Sequence, residues 1–391
     1  MIAITQTTAL LVDAYRELND KKLFWLALGV NAIVIGIFAS LGISDRGVSF
    51  WHFTLQDSSQ ISSFLTPESF YKTNFVTWGI PFLSWASTVL ALISTAGIIP
   101  ELVTGGTIET MLSKPIGRIR LLLTKFVLGL LFVTLQVTVF SAGCFLTMWI
   151  RGGTIEPQLF LAVPIVVLFF SYLFSVCIVV GLLTRSTIAS LLITVLLWFV
   201  IFLVNIADAN LVAQREGTLL QLEQARERLE TQQAFADDRL EAMQASGEEL
   251  LDAEGNPITD PEQRRLAVNV ALRMAADRVD DREIAADTWV TWARYAYWVK
   301  TVLPKTGETI AIIRRSIITR DDLMRAMGVE DPSGASLSVN EEEPAFASDA
   351  SQRRAAAAID ERSMFWVIGT SVGFELVMLT LACLIFSRRD F

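Results

Sequence analysis

The chain is poor in the residues that build metal centres, disulfide frameworks and nucleophilic dyads. Its 391 residues include three cysteines and one histidine. Cys144, Cys177 and Cys383 all fall inside apolar stretches. This placement argues against a disulfide scaffold or a cysteine-based metal site. One imidazole cannot assemble a histidine-type metal site, and a catalytic one needs a nucleophile set against it. His52, beside Trp51 and Phe53, reads as an interfacial residue. No Gly-x4-Gly-Lys-Ser/Thr sequence occurs; the interval from Gly105 to Lys114 is too long and lacks the second glycine. The chain therefore cannot bind ATP through a phosphate loop. No repeat of solenoid period is present. The first twenty residues are polar and mixed, and no small-residue cleavage site follows the first apolar block. That block is expected to be a retained signal-anchor span.

Charge is nearly missing from six long stretches, and this scarcity organises the chain. The sequence is 52% hydrophobic, more than a soluble domain requires. The excess lies in blocks at about 22–42, 76–99, 122–149, 158–183, 187–206 and 363–386. Each is long enough to cross a bilayer, which takes about 20 apolar residues. Only Leu183-Thr184-Arg185-Ser186 separates the fourth block from the fifth, which implies a tight surface turn. The expected fold class is all-α and polytopic, with six transmembrane helices. Residues 1–206 hold an N-terminal amphipathic helix and spans one to five. Residues 207–362 form a large helical extracytoplasmic domain inserted between spans five and six. Residues 363–391 hold span six and a cytoplasmic tail. The amphipathic helix is read over 5–20, where Ala9, Leu10, Leu11, Ala14, Tyr15 and Leu18 share a face.

Basic residues set the orientation. With the N-terminus inside, Arg16, Lys21, Lys22, Lys114, Arg118, Arg120, Lys125, Arg185, Arg388 and Arg389 lie on the inner side. The short outer loops carry only Arg46, Lys72 and Arg151. Both termini are therefore expected in the cytoplasm. Residues 207–362 then face outward; long domains translocate largely regardless of charge. This stretch holds 19 basic and 30 acidic residues, against 13 and 11 in the remainder. Its acidity argues against nucleic acid as a partner.

Within 207–362, Leu222, Leu229, Ala236 and Met243 recur at heptad spacing. Gly255-Asn256-Pro257 breaks the chain, and Asp260-Pro261-Glu262 starts a second helix running to about 285–295. Leu266, Val270, Met274 and Ala275 form its expected apolar face. The two helices predict an antiparallel hairpin, read either as a docking arm or as a solvated pair. Residues 295–320 are again amphipathic and fit helices on the outer leaflet or over the mouth of a pathway. Residues 330–354 read as a flexible acidic linker.

A short polar island separates the second and third blocks. It contains Pro100-Glu101, then Gly105-Gly106-Thr107-Ile108-Glu109, then Leu112-Ser113-Lys114-Pro115, then Arg118, Arg120 and Lys125. Pro100 can break the end of the span. The two glycines allow a tight turn. Thr107 can cap a short helix with Glu109 in its first turn, where the dipole favours an acid. Pro115 ends that helix, and the basic residues pin the next span at the headgroups. A surface helix held between two spans is a lever: a push on it tilts both.

This island resembles the first cytoplasmic loop of ABC (ATP-binding cassette) type-2 export permeases. That loop carries an acidic residue, Gly-Thr-x-Glu, Leu-x-x-Pro, an arginine and a lysine at about this spacing. The six-span layout and the terminal Phe386-Ser387-Arg388-Arg389-Asp390-Phe391 are similar too. The loop is most like those of permeases associated with multi-copper-enzyme maturation, whose substrate is not carried over. The resemblance implies an N-terminal elbow helix and a coupling segment at 100–121. It implies that Glu101, Gly106, Thr107, Glu109, Leu112, Pro115, Arg118 and Lys125 meet an ABC ATP-binding subunit. Two permeases would work with two such subunits, which hold the ATP and Mg; no cofactor is expected in this chain. The remaining partners would be a second copy of the chain and membrane lipid, in the cytoplasmic (inner) membrane of a bacterium. The large insertion departs from the short outer loops of the family, which leaves substrate class open. The rival reading keeps the ATPase but has the outer hairpin move an extracytoplasmic protein, with nothing transported. A membrane enzyme finds no metal cluster or nucleophile–base pair in the sequence.

The last block adds three motifs. Gly369-Thr370-Ser371-Val372-Gly373 has the form of a hydrolase elbow, but it lies inside a span and Ser371 has no obvious base. Gly369 and Gly373 read instead as a helix-packing face. Glu375 sits near mid-span, where a carboxylate is costly and must face protein or a wet cavity. Gln136 and Asn31 are its candidate neighbours by depth, as pathway or packing residues. Leu303-Pro304-Lys305-Thr306-Gly307 spells a sortase sorting signal but precedes the last span by over fifty residues. It reads as coincidence.

Overall fold

The computed structural model describes residues 22–44, 47–51, 53–57, 66–104, 117–252, 256–317 and 349–388. The elbow helix expected at 5–20, His52, and the island from Gly106 to Pro115 lie outside them. Among the described residues six helices are long and apolar enough to cross a membrane, in keeping with an all-α polytopic protein. The chain divides into two compact units. One comprises Met1–Phe202, Val302–Ala335 and Met364–Phe391, the other Leu203–Thr301 and Ser336–Ser363.

The first unit is built around one helix. Its helices are α1 (Lys22–Ser40), α2 (Pro67–Asn74), α3 (Thr88–Thr95), α4 (Ile98–Thr104), α5 (Arg118–Thr147), α6 (Ala162–Thr184), the start of α7 (Thr187–Ser246), α10 (Thr306–Ile317) and α12 (Met364–Arg388). Along α6 every residue from Phe169 to Val179 is buried. A helix apolar on all sides needs neighbours on all sides. Here α4, α5, α10, α12 and the 3₁₀ turn Pro157–Leu161 supply them. Phe174 of α6 stacks on Phe126 of α5 with ring centres 5.6 Å apart. Gly129 makes this approach possible, since a Cβ there would run into the Phe174 ring. The outward faces stay apolar: Trp25, Ile33, Ile188, Leu192, Leu196 and Val377 are exposed, as hydrocarbon permits.

The second span is not a plain α-helix. Pro81 lacks an N–H, and π-helical turns at Phe75–Gly79 and Phe82–Ser87 flank it. Two hydroxyls take up carbonyls loosened there: Ser84 Oγ donates to Pro81 O at 3.2 Å and Thr88 Oγ1 to Leu83 O at 3.0 Å. In lipid no water could do so.

A small antiparallel sheet of β1 (Leu41–Ser44), β2 (Gly47–Phe50) and β3 (Phe53–Asp57) follows α1. Trp51 turns the second hairpin with φ 56°, and its N–H donates to Ser40 O at 2.7 Å. Tyr71 Oη donates to Leu41 O at 2.8 Å, and the Arg151 guanidinium donates to Ala39 O. The sequence reading placed only interfacial aromatics in this loop, because their belt signal masks their strand propensity.

The second unit pairs the rest of α7 with α8 (Pro261–Val268) and α9 (Val270–Val302), joined by α11 (Asp349–Asp360). Partners advance in opposite directions along the two long helices: Arg265 with Asp237, Asn269 with Gln232, Arg282 with Gln221, Lys300 with Asp208. The hairpin is thus antiparallel. On α7, Leu222 and Ala236 are buried as the heptad reading expects. On α9 the buried residues are Leu272, Val279, Ala286 and Ala293; Val270 and Met274 are exposed. The register slips because α8 and α9 are separate helices. Asp260 caps α8, accepting from Glu262 N at 3.1 Å. Asn269 then takes an extended conformation, bonds Gln232, and restarts the helix by accepting from Ala271 N at 3.1 Å. Residues 349–360, partly read as linker, form α11, whose Ala350 packs on Leu220.

Three segments of this unit meet at Asp208. Its side chain is 1% exposed and accepts from Lys300 Nζ and Arg362 Nη1, each at 2.7 Å. Breaking such a buried cluster costs about 3–5 kcal/mol, because the remaining charges stay buried. Asp208→Ala is therefore expected to lower the unfolding midpoint of the purified protein sharply. Asp237→Ala, which removes an exposed pair with Arg265, should barely move it. Denaturant unfolding of the two variants in detergent compares them directly.

Candidate functional site

The island between the second and third spans is anchored at both ends. On the entry side, α4 begins one turn before Glu101 and packs on α6 and α5. Pro100 falls in the first turn of α4, where its missing N–H costs nothing. It lies against Gly181 of α6: a Cβ at Gly181 would stand 3.3 Å from Pro100 Cδ and Cγ. Gly97 is held the same way, since a Cβ there would meet the Glu101 carboxylate and lie 3.7 Å from Thr187 Cγ2 of α7. The turn joining α6 to α7 completes the seat. Arg185 takes a left-handed conformation, φ 53°, and donates its N–H to Gly181 O at 2.9 Å. On the exit side, α5 opens at Arg118, which is half-buried, and Lys125 lies buried two turns on. Glu101 is exposed. Gly106, Thr107, Glu109, Leu112 and Pro115 lie outside the described residues. The mechanical content is direct: close-packed atoms move together, so a displacement of α4 passes to α6 through Pro100.

The second candidate site lies among α6, α10 and α12. Ser171 Oγ of α6 is 2.8 Å from Glu375 Oε2 of α12 and 2.8 Å from Leu168 O. A hydroxyl has one proton, so it serves one acceptor at a time. Gln136 and Asn31 do not join Glu375 here. Gln136 Nε2 donates instead to Ser87 Oγ at 2.9 Å. Asn31 is fully buried, and its amide makes no hydrogen bond.

The beginning of α10 is stitched onto α12 nearby. Ser371 Oγ accepts from Lys305 N at 2.9 Å and donates to Val367 O at 2.7 Å. Both roles of that hydroxyl are occupied, which removes the hydrolase-elbow reading. Lys305 is fully buried; its Nζ donates to Leu303 O at 3.0 Å and lies 4.7 Å from the centre of the Trp366 ring. Tyr172 Oη, from α6, is buried beside Thr309 and Ser371 without an aligned bond. Ile313 and Ile317 carry α10 into the apolar core, so this helix is packed inside the first unit rather than laid on a surface. Sequence reasoning missed this cluster because Lys305 sits in a motif set aside as coincidence. A Cβ added at Gly369 or at Gly373 would meet nothing within 4 Å. Among the described residues no group of three His, Cys, Asp or Glu side chains could hold a metal ion.

A family model described as ABC-2 family transporter protein matches residues 8–241. No curated protein and no solved structure matches the chain.

The orphan amide of Asn31 yields a test. A buried polar group without a partner costs about 1–3 kcal/mol. Asn31→Leu, similar in volume, is expected to raise the thermal midpoint of the purified chain. A fall instead would mean that water or another chain satisfies the amide in the assembled protein.

Proposed function

The chain belongs to the ABC-2 transporter family and is a membrane permease component of an ABC transporter; we propose that it drives export as a dimer with separate ATP-binding subunits. The match to residues 8–241 supports this, since it covers the island and the spans on either side. The ATP and Mg would be held by the partner, as no phosphate loop occurs in this chain. The basic-residue distribution supports cytoplasmic termini, with residues 207–362 outside; the membrane would be the inner membrane of a bacterium.

The observation that carries the coupling role is the seat of α4 on Gly181. In this reading the segment at 100–121 docks on the ATP-binding subunit through Glu101, Gly106, Thr107, Glu109, Leu112, Pro115, Arg118 and Lys125. ATP binding draws the two permeases' segments together. Pro100 transfers the movement to α6, which is packed on every side and cannot yield alone. It therefore carries α5, α10 and α12 with it. The Ser171–Glu375 bond lies on the α6–α12 contact, where its switch between two acceptors accompanies a shift of the helices. The cavity opened and closed would lie between the two copies.

Purification of the native complex in mild detergent, followed by intact-mass measurement, tests the assembly. Two permeases with two soluble ATP-binding subunits are expected. The chain alone, or bound to a protein without ATPase activity, would overturn the reading. Two variants test the coupling. Glu109→Ala combined with Arg118→Ala is expected to leave ATP hydrolysis running while transport falls to background. Gly181→Leu should do the same from the permease side, because the added side chain displaces Pro100. Normal transport in both variants would remove the segment from the coupling path.

A further inference from the structure

We propose that the last two turns of α9, residues 295–302, form a lipid-binding band seated in the headgroup layer of the bilayer that α7 crosses.

The helix changes character within its length. Residues 272–287 carry Arg273, Asp277, Arg278, Asp280, Asp281, Arg282, Glu283 and Asp287. From Thr288 to Val302 there is no acidic residue, and Trp289, Trp292, Tyr295, Tyr297 and Trp298 appear instead. The buried edge of α9 runs on unchanged through Ala286, Ala293 and Lys300. The aromatic residues are therefore not serving the hairpin seam. Trp292, Tyr295, Trp298, Val299 and Val302 are each more than half exposed. Spaced three or four apart, these positions form one continuous side of the helix. Water is a poor solvent for a face of this kind. Indole and phenol rings with a polar edge suit the zone between hydrocarbon and water, and the exposed Arg294 suits its phosphates.

Depth selects lipid over other occupants. The apolar run of α7 ends near residue 206, and Asp208 follows it. Lys300 is bound to Asp208, so that pair fixes Lys300 at the edge of the hydrocarbon. Arg362 binds the same carboxylate, and the chain becomes apolar again two residues later, at Met364. Two separate segments thus mark one level. From Lys300 back to Tyr295 is about 8 Å along the axis, and to Trp292 about 12 Å, at 1.5 Å per residue. The headgroup layer is about 5–8 Å deep on each side. Trp298 and Val299 fall within it, Tyr295 at its outer limit, and Val302 on the hydrocarbon side; Trp292 stands about 4 Å beyond it. Ile284, also exposed, is about 24 Å from Lys300 along the axis and lies beyond it.

The test does not depend on transport. Full-length protein carrying Tyr295→Cys, Val299→Cys or Ile284→Cys, each in a Cys383→Ala background, is labelled with a small fluorophore. The remaining native thiols, Cys144 and Cys177, are buried. Each sample is reconstituted into phosphatidylcholine bilayers brominated high on the acyl chain. Quenching is expected to be several-fold stronger at 295 and 299 than at 284. Equal quenching at all three positions, or none at 295 and 299, would overturn the proposal. So would a disulfide formed between copies through Tyr295→Cys, which would make the band an interface between two chains.

Discussion

A helix buried on every side is the constraint on which the first unit depends. The run from Phe169 to Val179 is buried throughout and interrupts its apolar side chains only with Ser171, Ser175 and the Tyr172 hydroxyl, so no face of α6 meets water. Lipid would tolerate it equally well, so apolarity alone does not put it in the centre. What does is close approach: Gly129 admits the Phe174 ring, and Gly181 admits Pro100. Helices in hydrocarbon gain little from excluding lipid and associate through packing and local polar bonds. Small residues at these contacts therefore decide which helix becomes the hub.

The two units are held by different physics. In the first, some hydrogen bonds are local repairs and others tie helix to helix: Ser84 and Thr88 serve carbonyls near Pro81, and Ser371 holds the start of α10. Such bonds between membrane helices average only about 0.6 kcal/mol each. None determines the fold alone. In the second, a thin apolar seam of Leu222, Val279 and Ala286 is supplemented by charges. The pairs Arg226–Glu283, Arg265–Asp237 and Arg354–Glu223 are exposed and weak, but the cluster at Asp208 is buried and expensive to disturb. It closes the end of the hairpin where the apolar seam has run out.

The spans were legible in the sequence because hydrocarbon imposes a length and forbids charge, and both can be counted. The tight turn at Arg185 was legible for the same reason: four residues between two spans leave no other geometry. The α7 face was readable because its leucines are large. The α9 face was not. Its seam uses Ala286 and Ala293, which carry little periodic signal, while Val270 and Met274 advertise a face that points away. The break at Asn269 resets the helical phase, and an asparagine among polar neighbours gives no warning of that. Glu375 bonds a different residue from the neighbours read for it. Depth suggested Gln136 and Asn31, whereas lateral order put Ser171 beside it. Depth is readable from spacing; lateral neighbours depend on which helices touch.

Pro304, Lys305 and Thr306, the middle of the sorting-signal sequence, are all buried. A transpeptidase needs its target drawn out as an open strand with the scissile bond in reach. Here Thr306 begins α10, Lys305 lies under Trp366, and Thr309 holds the Lys305 carbonyl at 2.7 Å. To expose that bond, α10 would have to unwind and leave the core with Ile313 and Ile317. The segment thus carries the letters of a cutting site in a form that a cutting enzyme cannot read.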